Sequence, residues 1–209
     1  MCRSNLIPEK YSYEEAAASL EGAHYAYNFI EKVKVNKGDK ILINGATGAI
    51  GSALLQFSKY YGAYVTAVGN SKNIELMKNL GADKVIDYQK DDFTEDNQKY
   101  KYIFDAVGKS SFAKCKHLLE TDGIYISSEL GGLGQNLFLA LITKVSSGKK
   151  VIFPVPTDIK ASIDFIKKLI EEDKFKAVID REYSLAKIEK AYNYTASGQK
   201  TGNVILKIN

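Results

Sequence analysis

From Lys40 onward, short apolar and β-branched runs alternate with stretches of helical periodicity, the pattern of a parallel sheet built from strand–helix–strand units. It predicts strands at Ile41–Ile43, Tyr64–Val68, Lys84–Ile86, Tyr102–Phe104, Ile124–Ile126 and Val151–Phe153. Between them it predicts helices at Ala49–Tyr60, Asn73–Leu80, Ser111–Glu120 and Leu137–Lys144. The strands are apolar at successive rather than alternate positions, as expected where helices cover both faces of a sheet. Gly62, Gly81 and Gly123 each follow a predicted helix, where a left-handed residue ends it at least cost. Together these make a doubly wound α/β unit of six parallel strands. Ahead of it, Ser12 and Glu15 form a capping box that opens a helix running toward Ile30. Behind it come a helix at Asp158–Glu172, the run Ala177–Ile179, a helix at Leu185–Ala196 and a strand at Asn203–Ile208. The chain therefore divides into a lead-in segment 1–30, the doubly wound domain 31–157, and helices and a strand at 158–209 that complete the fold.

Composition narrows the class. With 209 residues, 45% hydrophobic and 26% charged, the chain can bury a sizeable core. Its longest apolar run, Leu137–Ile142, has six residues, where a membrane-spanning helix needs about 20. No charged-then-apolar leader opens the sequence, and Cys2 and Cys115 are too few for a disulfide framework or a structural zinc site. A cytoplasmic protein with no membrane span and no structural metal is expected. The net charge of +4 is almost wholly lysine, Arg3 and Arg181 being the only arginines. Lysines interleaved with acids read as a solvated surface, and nucleic acid is not an expected partner.

The sharpest chemical feature is Lys40–Gly51, a predicted strand running into Gly45-Ala46-Thr47-Gly48-Ala49-Ile50-Gly51 and then a helix. This is the context of a dinucleotide-binding turn in a Rossmann-type fold, although Ala46 stands where the first glycine of G-x-G-x-x-G falls. Gly48 lets the backbone approach a pyrophosphate, Gly51 lets the helix pack on the strand, and the first-turn amides face the anion. Nineteen residues past Gly51 stands Asn70, followed by Ser71 and Lys72, where NAD sites usually carry a carboxylate for the ribose. A carboxylate about 4 Å from a 2′-phosphate would repel it by up to about 4 kcal/mol at an effective dielectric near 20, and a lysine reverses that sign. The residues therefore favour NADPH over NADH, with Ser71 and Lys72 as candidate 2′-phosphate ligands.

With Glu14–Ala18, Gly45–Gly51, Leu80–Tyr88, Phe104–Gly108 and Lys200–Val204 in order, the sequence resembles the medium-chain dehydrogenase/reductase family, specifically its zinc-independent quinone oxidoreductase-like branch. The resemblance implies that Gly48 to Gly51 cradle the pyrophosphate, with Ala46, Thr47 and Asn70 also among the cofactor-binding residues, and that Tyr88 lies by the adenosine 2′-phosphate. It further implies that Val107 and Gly108 border the nicotinamide ribose, and that the Gly131–Gly134 cluster lies near the substrate cleft. The helix carrying Glu21, His24 and Tyr25 corresponds to the family's helix beside nicotinamide and substrate, which makes His24 and Tyr25 candidate substrate-region residues. Glu21 and His24 have metal-compatible spacing, but no further ligand completes a site and no zinc is expected. The implied reaction is hydride transfer from NADPH to a quinone or enone, with no catalytic side chain singled out. Full-length members begin with a separate β-barrel domain, of which this chain carries only the trailing edge. Three readings stand open: a competent reductase, a cofactor-binding module without turnover, and a fragment of a longer oxidoreductase. The resemblance also implies a homodimer paired along the last sheet strand near Val151–Phe153.

Overall fold

The computed structural model describes residues 7, 10–131, 134–145 and 148–208. Its elements are α1 (Tyr13–Ala18), α2 (Glu21–Val33), β1 (Lys40–Asn44), α3 (Ala49–Tyr60), β2 (Tyr64–Gly69), α4 (Ile74–Asn79), β3 (Lys84–Asp87) and β4 (Tyr100–Asp105). They continue with α5 (Phe112–Cys115), β5 (Leu119–Ser127), α6 (Gln135–Val145), β6 (Lys150–Ile152), α7 (Ile159–Glu171), β7 (Ile179–Ser184), α8 (Ile188–Ala196) and β8 (Asn203–Lys207). Six strands form one parallel sheet in the order β3-β2-β1-β4-β5-β6, and β7 and β8 pair in parallel as a second, two-stranded sheet. The strand order reverses between β1 and β4, the switch point at which such sheets open a ligand crevice.

Successive strand side chains bury themselves on opposite faces. Ile41, Ile43, Val65, Ala67, Tyr102 and Phe104 join a core with α2, α3 and α7, while Leu42, Val68 and Ile103 join one with α5 and the loops before β5. This is why the strands read as unbroken apolar runs. On the first face, Phe57 of α3 meets Phe165 of α7 edge-on at 5.2 Å and Phe175 at 5.1 Å. Tyr102 anchors α2, its hydroxyl donating to Val33 O at 3.0 Å where Lys34 turns left-handed and ends the helix.

The structure departs from the sequence pattern in instructive places. The capping box forms, with Glu15 N donating to Ser12 Oγ at 3.1 Å and Ser12 N to Glu15 Oε2 at 3.0 Å. The helix it opens breaks at Ser19–Leu20, where the Ser19 hydroxyl donates to Glu15 O at 2.7 Å, so α1 and α2 are two helices rather than one. The helix expected over Ser111–Glu120 stops at Cys115, passes through a 3-10 turn, and becomes β5 at Leu119. Phe112, Cys115 and Leu118 satisfy helical spacing, but Leu119 is captured by pairing with Tyr100. Gly123 accordingly ends no helix; it lies in the irregular part of β5, between the Tyr100↔Leu119 and Tyr102↔Ile124 pairs. Gly62 and Gly81 do take positive φ after α3 and α4. β6 starts one residue earlier than expected and ends at Ile152, and the Ala177–Ile179 run precedes most of β7. No described helix is long and apolar enough to cross a membrane.

β6 is an edge strand, but its edge is partly occupied: Val151 N donates to Thr143 Oγ1 of α6 at 2.9 Å. Because Phe57 joins α3, α7 and the loop before β7, Phe57→Ala should lower the unfolding free energy by about 3–5 kcal/mol, read as a lower urea midpoint with an unchanged slope.

Candidate functional site

The glycine turn lies at the switch point. After β1, Gly45 takes φ 79°, and the amides of Gly45 and Ala46 both donate to Val68 O, at 3.2 and 3.0 Å. The conformational freedom that the motif asks of its first glycine thus falls on Gly45, one residue before the fully buried Ala46. A Cβ on Gly51 would lie 2.1 Å from Gly45 O, so only glycine lets α3 begin this close to the strand. Gly48 is the N-cap of α3, and no side chain caps the helix. A Cβ on Gly48 would meet nothing nearer than Gly45 O at 3.7 Å, so its outer side is open. That side faces a cleft of about 570 Å³ between Glu21, Gly22 and Tyr25 of α2, Gly48–Ile50, the Ala106–Lys109 loop and the segment Thr195–Val204. Uncapped first-turn amides at the end of a twelve-residue helix form a site for an anion, because their partial positive charges have no internal partner.

The far wall is held by a buried carboxylate. Asp105, at the end of β4, is fully buried and accepts from Asn44 Nδ2 at 3.0 Å, Tyr125 OH at 2.9 Å and Ser110 N at 3.0 Å. Four strand ends and loops thereby meet at one group, which fixes the turn carrying Val107 and Gly108. Burial, with Asp105 beside it, pushes the Tyr125 hydroxyl far above its ordinary range, so it stays a donor. Cys115 is no nucleophile here: burial raises its thiol to about 11.

At the carboxyl ends of β2 and β3, the parallel register sets Asp87 of β3 opposite Gly69 of β2, next to Ser71. The Ser71 hydroxyl donates to Asp87 Oδ2 in a short hydrogen bond, and Gln89 N donates to Oδ1 at 3.1 Å. These bonds, Ser71 first, hold the Asp87 carboxyl below its usual range. Ser71 therefore has no proton to spare for a phosphate while that bond stands, and its amide is engaged by Gln89 Oε1 at 3.2 Å. Lys72 and Tyr88 are exposed beside it, whereas Asn70 Oδ1 is buried with no partner among the described residues. Counting along the chain from Gly51 finds no carboxylate here; the pairing of β2 with β3 supplies one, and that pairing is the signal the count misses.

On α2 the structure separates the two candidates. Tyr25 lines the cleft, but His24 turns toward α7, where its Nδ1 meets the buried Ser162 Oγ at 2.7 Å. Ser162 gives its own proton to Ile159 O at 2.7 Å, so His24 Nδ1 is the donor. Glu21, which the sequence offered only as a metal partner, lines the cleft instead. Among the described residues no group of three or more His, Cys, Asp or Glu could hold a metal ion, and with His24 turned away the donor set does not fit zinc. His117 lies outside the cleft, its Nε2 donating to Thr94 O at 2.7 Å. Cys2, Gly132 and Leu133 lie outside the described residues.

The C-terminal segment closes the cleft behind the glycine turn. Gly202 bridges in parallel to Gly48, and Gly202 N donates to Thr47 O at 2.7 Å. Asn73 Nδ2 donates to Thr201 Oγ1 at 2.9 Å, tying the stretch after β2 to the same segment. A larger hollow of about 800 Å³ beside the C-terminal half of α3 lies away from the turn, and its Lys10, Lys59 and Lys176 are paired with Asp173, Asp83 and Glu15.

The sheet order, the glycine turn and the uncapped helix define a Rossmann-type dinucleotide-binding unit. Residues 80–206 match the family model described as zinc-binding dehydrogenase, and the chain belongs to that family, within the medium-chain dehydrogenases/reductases. It is 31% identical over 205 residues to 2-methylene-furan-3-one reductase of Solanum lycopersicum, covering 96% of this chain and 48% of that protein. It is 28% identical over 210 residues to the chloroplastic quinone oxidoreductase of Triphysaria versicolor, covering 96% and 63%. Among solved structures, the quinone oxidoreductase of Coxiella burnetii superposes with a TM-score of 0.83 at 22% identity, over 97% of this chain and 63% of that one. A mycobacterial protein complexed with NADPH superposes with a TM-score of 0.78 at 18% identity, over 97% and 66%. The chain thus spans about half to two-thirds of the length of these relatives.

Asp105→Ala should strand the Tyr125 hydroxyl and Asn44 amide in the core and cost about 2–5 kcal/mol in urea unfolding; Tyr125→Phe, which removes one of several donors, should cost about 1 kcal/mol.

Proposed function

We propose that the chain binds NADPH across the switch point and serves as the cofactor-holding part of a zinc-independent quinone or enone reductase. The observation that carries this reading is the uncapped α3 N-terminus facing the cleft beside an open Gly48. In it, the first-turn amides of Ala49, Ile50 and Gly51 hold the pyrophosphate, Thr47 and Gly48 shape the turn that presents them, and Ala46 lies buried behind. Val107 and Gly108, fixed by Asp105, border the nicotinamide ribose, and Tyr25 and Glu21 line the approach to the nicotinamide. Bound NADPH supplies a hydride to a conjugated carbonyl, and the protein's part is to position it and limit water. His24 supports α2 against α7 rather than touching substrate.

At the adenosine end, Lys72 and Tyr88 are the 2′-phosphate contacts in this reading, because Ser71 is committed to Asp87. Asp87 is itself faced by Lys90 at 3.8 Å, which tempers its repulsion of a phosphate. The second reading is a cofactor-binding module without turnover; the chain spans 48% of the length of its reductase relative from Solanum lycopersicum, and the activity of the whole protein is part of the proposal. The homodimer paired along β6 belongs to the proposal as well, and it requires release of the Val151 amide from Thr143.

Titration of the chain with NADPH and NADH should give tighter NADPH binding, and Lys72→Ala should narrow the gap about tenfold, in line with loss of a charge-assisted contact. Equal affinities unchanged by Lys72→Ala would remove the NADPH preference. NADPH oxidation with phenanthrenequinone then separates the readings: turnover supports the reductase, and tight binding with no turnover on quinones or enones supports the module. In sedimentation at micromolar concentration a dimer is expected, strengthened by Thr143→Val; a monomer in both chains would overturn β6 pairing.

A further inference from the structure

One cation of the cleft stands apart from the ion pairs that hold the fold. Lys200 lies on the segment between α8 and β8, lines the cleft with Gly48–Ile50, and is partly buried. Its Nζ donates to Gly202 O at 2.7 Å, and among the described residues no carboxylate lies within ion-pair distance of it. Burial holds its pKa below the ordinary lysine range, against the opposing pull of Asp180 of β7 and Glu21 of α2. A partly buried ammonium that no carboxylate pairs with is stabilised by an anion that joins its surroundings.

The backbone around Lys200 says where that anion would sit. Gly202, whose carbonyl holds the ammonium, bridges to Gly48 and donates to Thr47 O at 2.7 Å. Thr201 N donates to Asp180 Oδ2 at 2.8 Å, and the Asp180 carboxylate also accepts from Tyr194 OH at 2.6 Å. Asp180 is thus occupied by other donors, and the segment is pinned on both sides of Lys200. The ammonium is therefore presented to the same volume as the uncapped first turn of α3. The cleft's other lysine, Lys109, is exposed on the loop after β4.

We propose that Lys200 is the counter-cation of the dinucleotide pyrophosphate, completing from the C-terminal segment the site that the α3 amides begin. This rests on the dinucleotide reading above and adds a side chain to a site otherwise made of backbone. A cation there serves NADPH and NADH alike, because both carry the pyrophosphate.

The test uses the complete chain with Lys200→Met and Lys200→Arg, and four probes: NADPH, NADH, ADP-ribose and adenosine 2′-monophosphate. Lys200→Met should weaken NADPH, NADH and ADP-ribose by one common factor of about tenfold or more, and Lys200→Arg should recover most of it. Binding of adenosine 2′-monophosphate, which has no pyrophosphate, should not change. The melting temperature of unliganded Lys200→Met should stay at or above that of the parent, since a poorly compensated charge is removed. Unchanged ADP-ribose affinity in Lys200→Met overturns the proposal. So does a loss confined to NADPH and adenosine 2′-monophosphate, which assigns Lys200 to the 2′-phosphate, or a lowered melting temperature with no rescue by arginine, which makes it structural. If the parent chain binds neither dinucleotide nor ADP-ribose, the dinucleotide reading itself falls; parent binding with an unaffected Lys200→Met removes only the role of Lys200.

Discussion

Everything at the candidate site depends on how closely three stretches of backbone approach one another at the start of α3. A side-chain carbon on Gly51 would sit 2.1 Å from Gly45 O, and one on Gly22 would sit 2.8 Å from Ala49. From the other side Gly202 N reaches Thr47 O at 2.7 Å. Strand β1, helix α2 and the C-terminal segment therefore converge on a helix end with no cap of its own. The approach leaves no room for side chains at the contact, so the surface exposed to the cleft is backbone. Unsatisfied amides give that helix end its positive character.

Charge is distributed around that junction in a consistent way. The two carboxylates buried at the strand ends, Asp105 and Asp87, are stabilised chiefly by neutral donors: hydroxyls, an amide side chain and backbone N–H groups. Each ties a loop to its neighbouring strands, and among the described residues the one lysine paired with either is Lys90, 3.8 Å from Asp87. Lys72 and Lys109 remain exposed, and Lys200 has no ion pair among the described residues. Internal negative charge holds loops in place, while positive charge is left facing the crevice, with Glu21 as the exception on α2.

The fold was largely legible in the sequence because both-face burial leaves a strong mark. Strands β1, β2 and β4 each bury nearly every residue, and short β-branched runs between glycines suit little besides a strand covered on both sides. The pattern misled where local and long-range demands disagreed. Phe112, Cys115 and Leu118 carry helical spacing, yet pairing of Leu119 with Tyr100 pulls the following residues into β5. The first helix breaks at Ser19–Leu20, in a stretch whose apolar periodicity carries no sign of it. The family resemblance drawn from Gly45–Gly51, Leu80–Tyr88 and Phe104–Gly108 held, since motifs in a fixed order constrain far more than any one of them.

The sequence by itself determined the doubly wound sheet, the glycine turn and the family to which the chain belongs, because these follow from local periodicity and from motifs of residues adjacent in the chain. Tertiary structure decided the rest of the site. It brought Asp87 beside Ser71 through strand register, turned His24 away from the cleft toward Ser162, and carried Lys200 back to a loop about 150 residues earlier in the chain, within the length typical of one domain. The physical reason is common to all three. Register, helix rotation and the return of a C-terminal segment are set by burial of side chains elsewhere in the core, so the chemistry of these residues depends on neighbours that no spacing along the chain records.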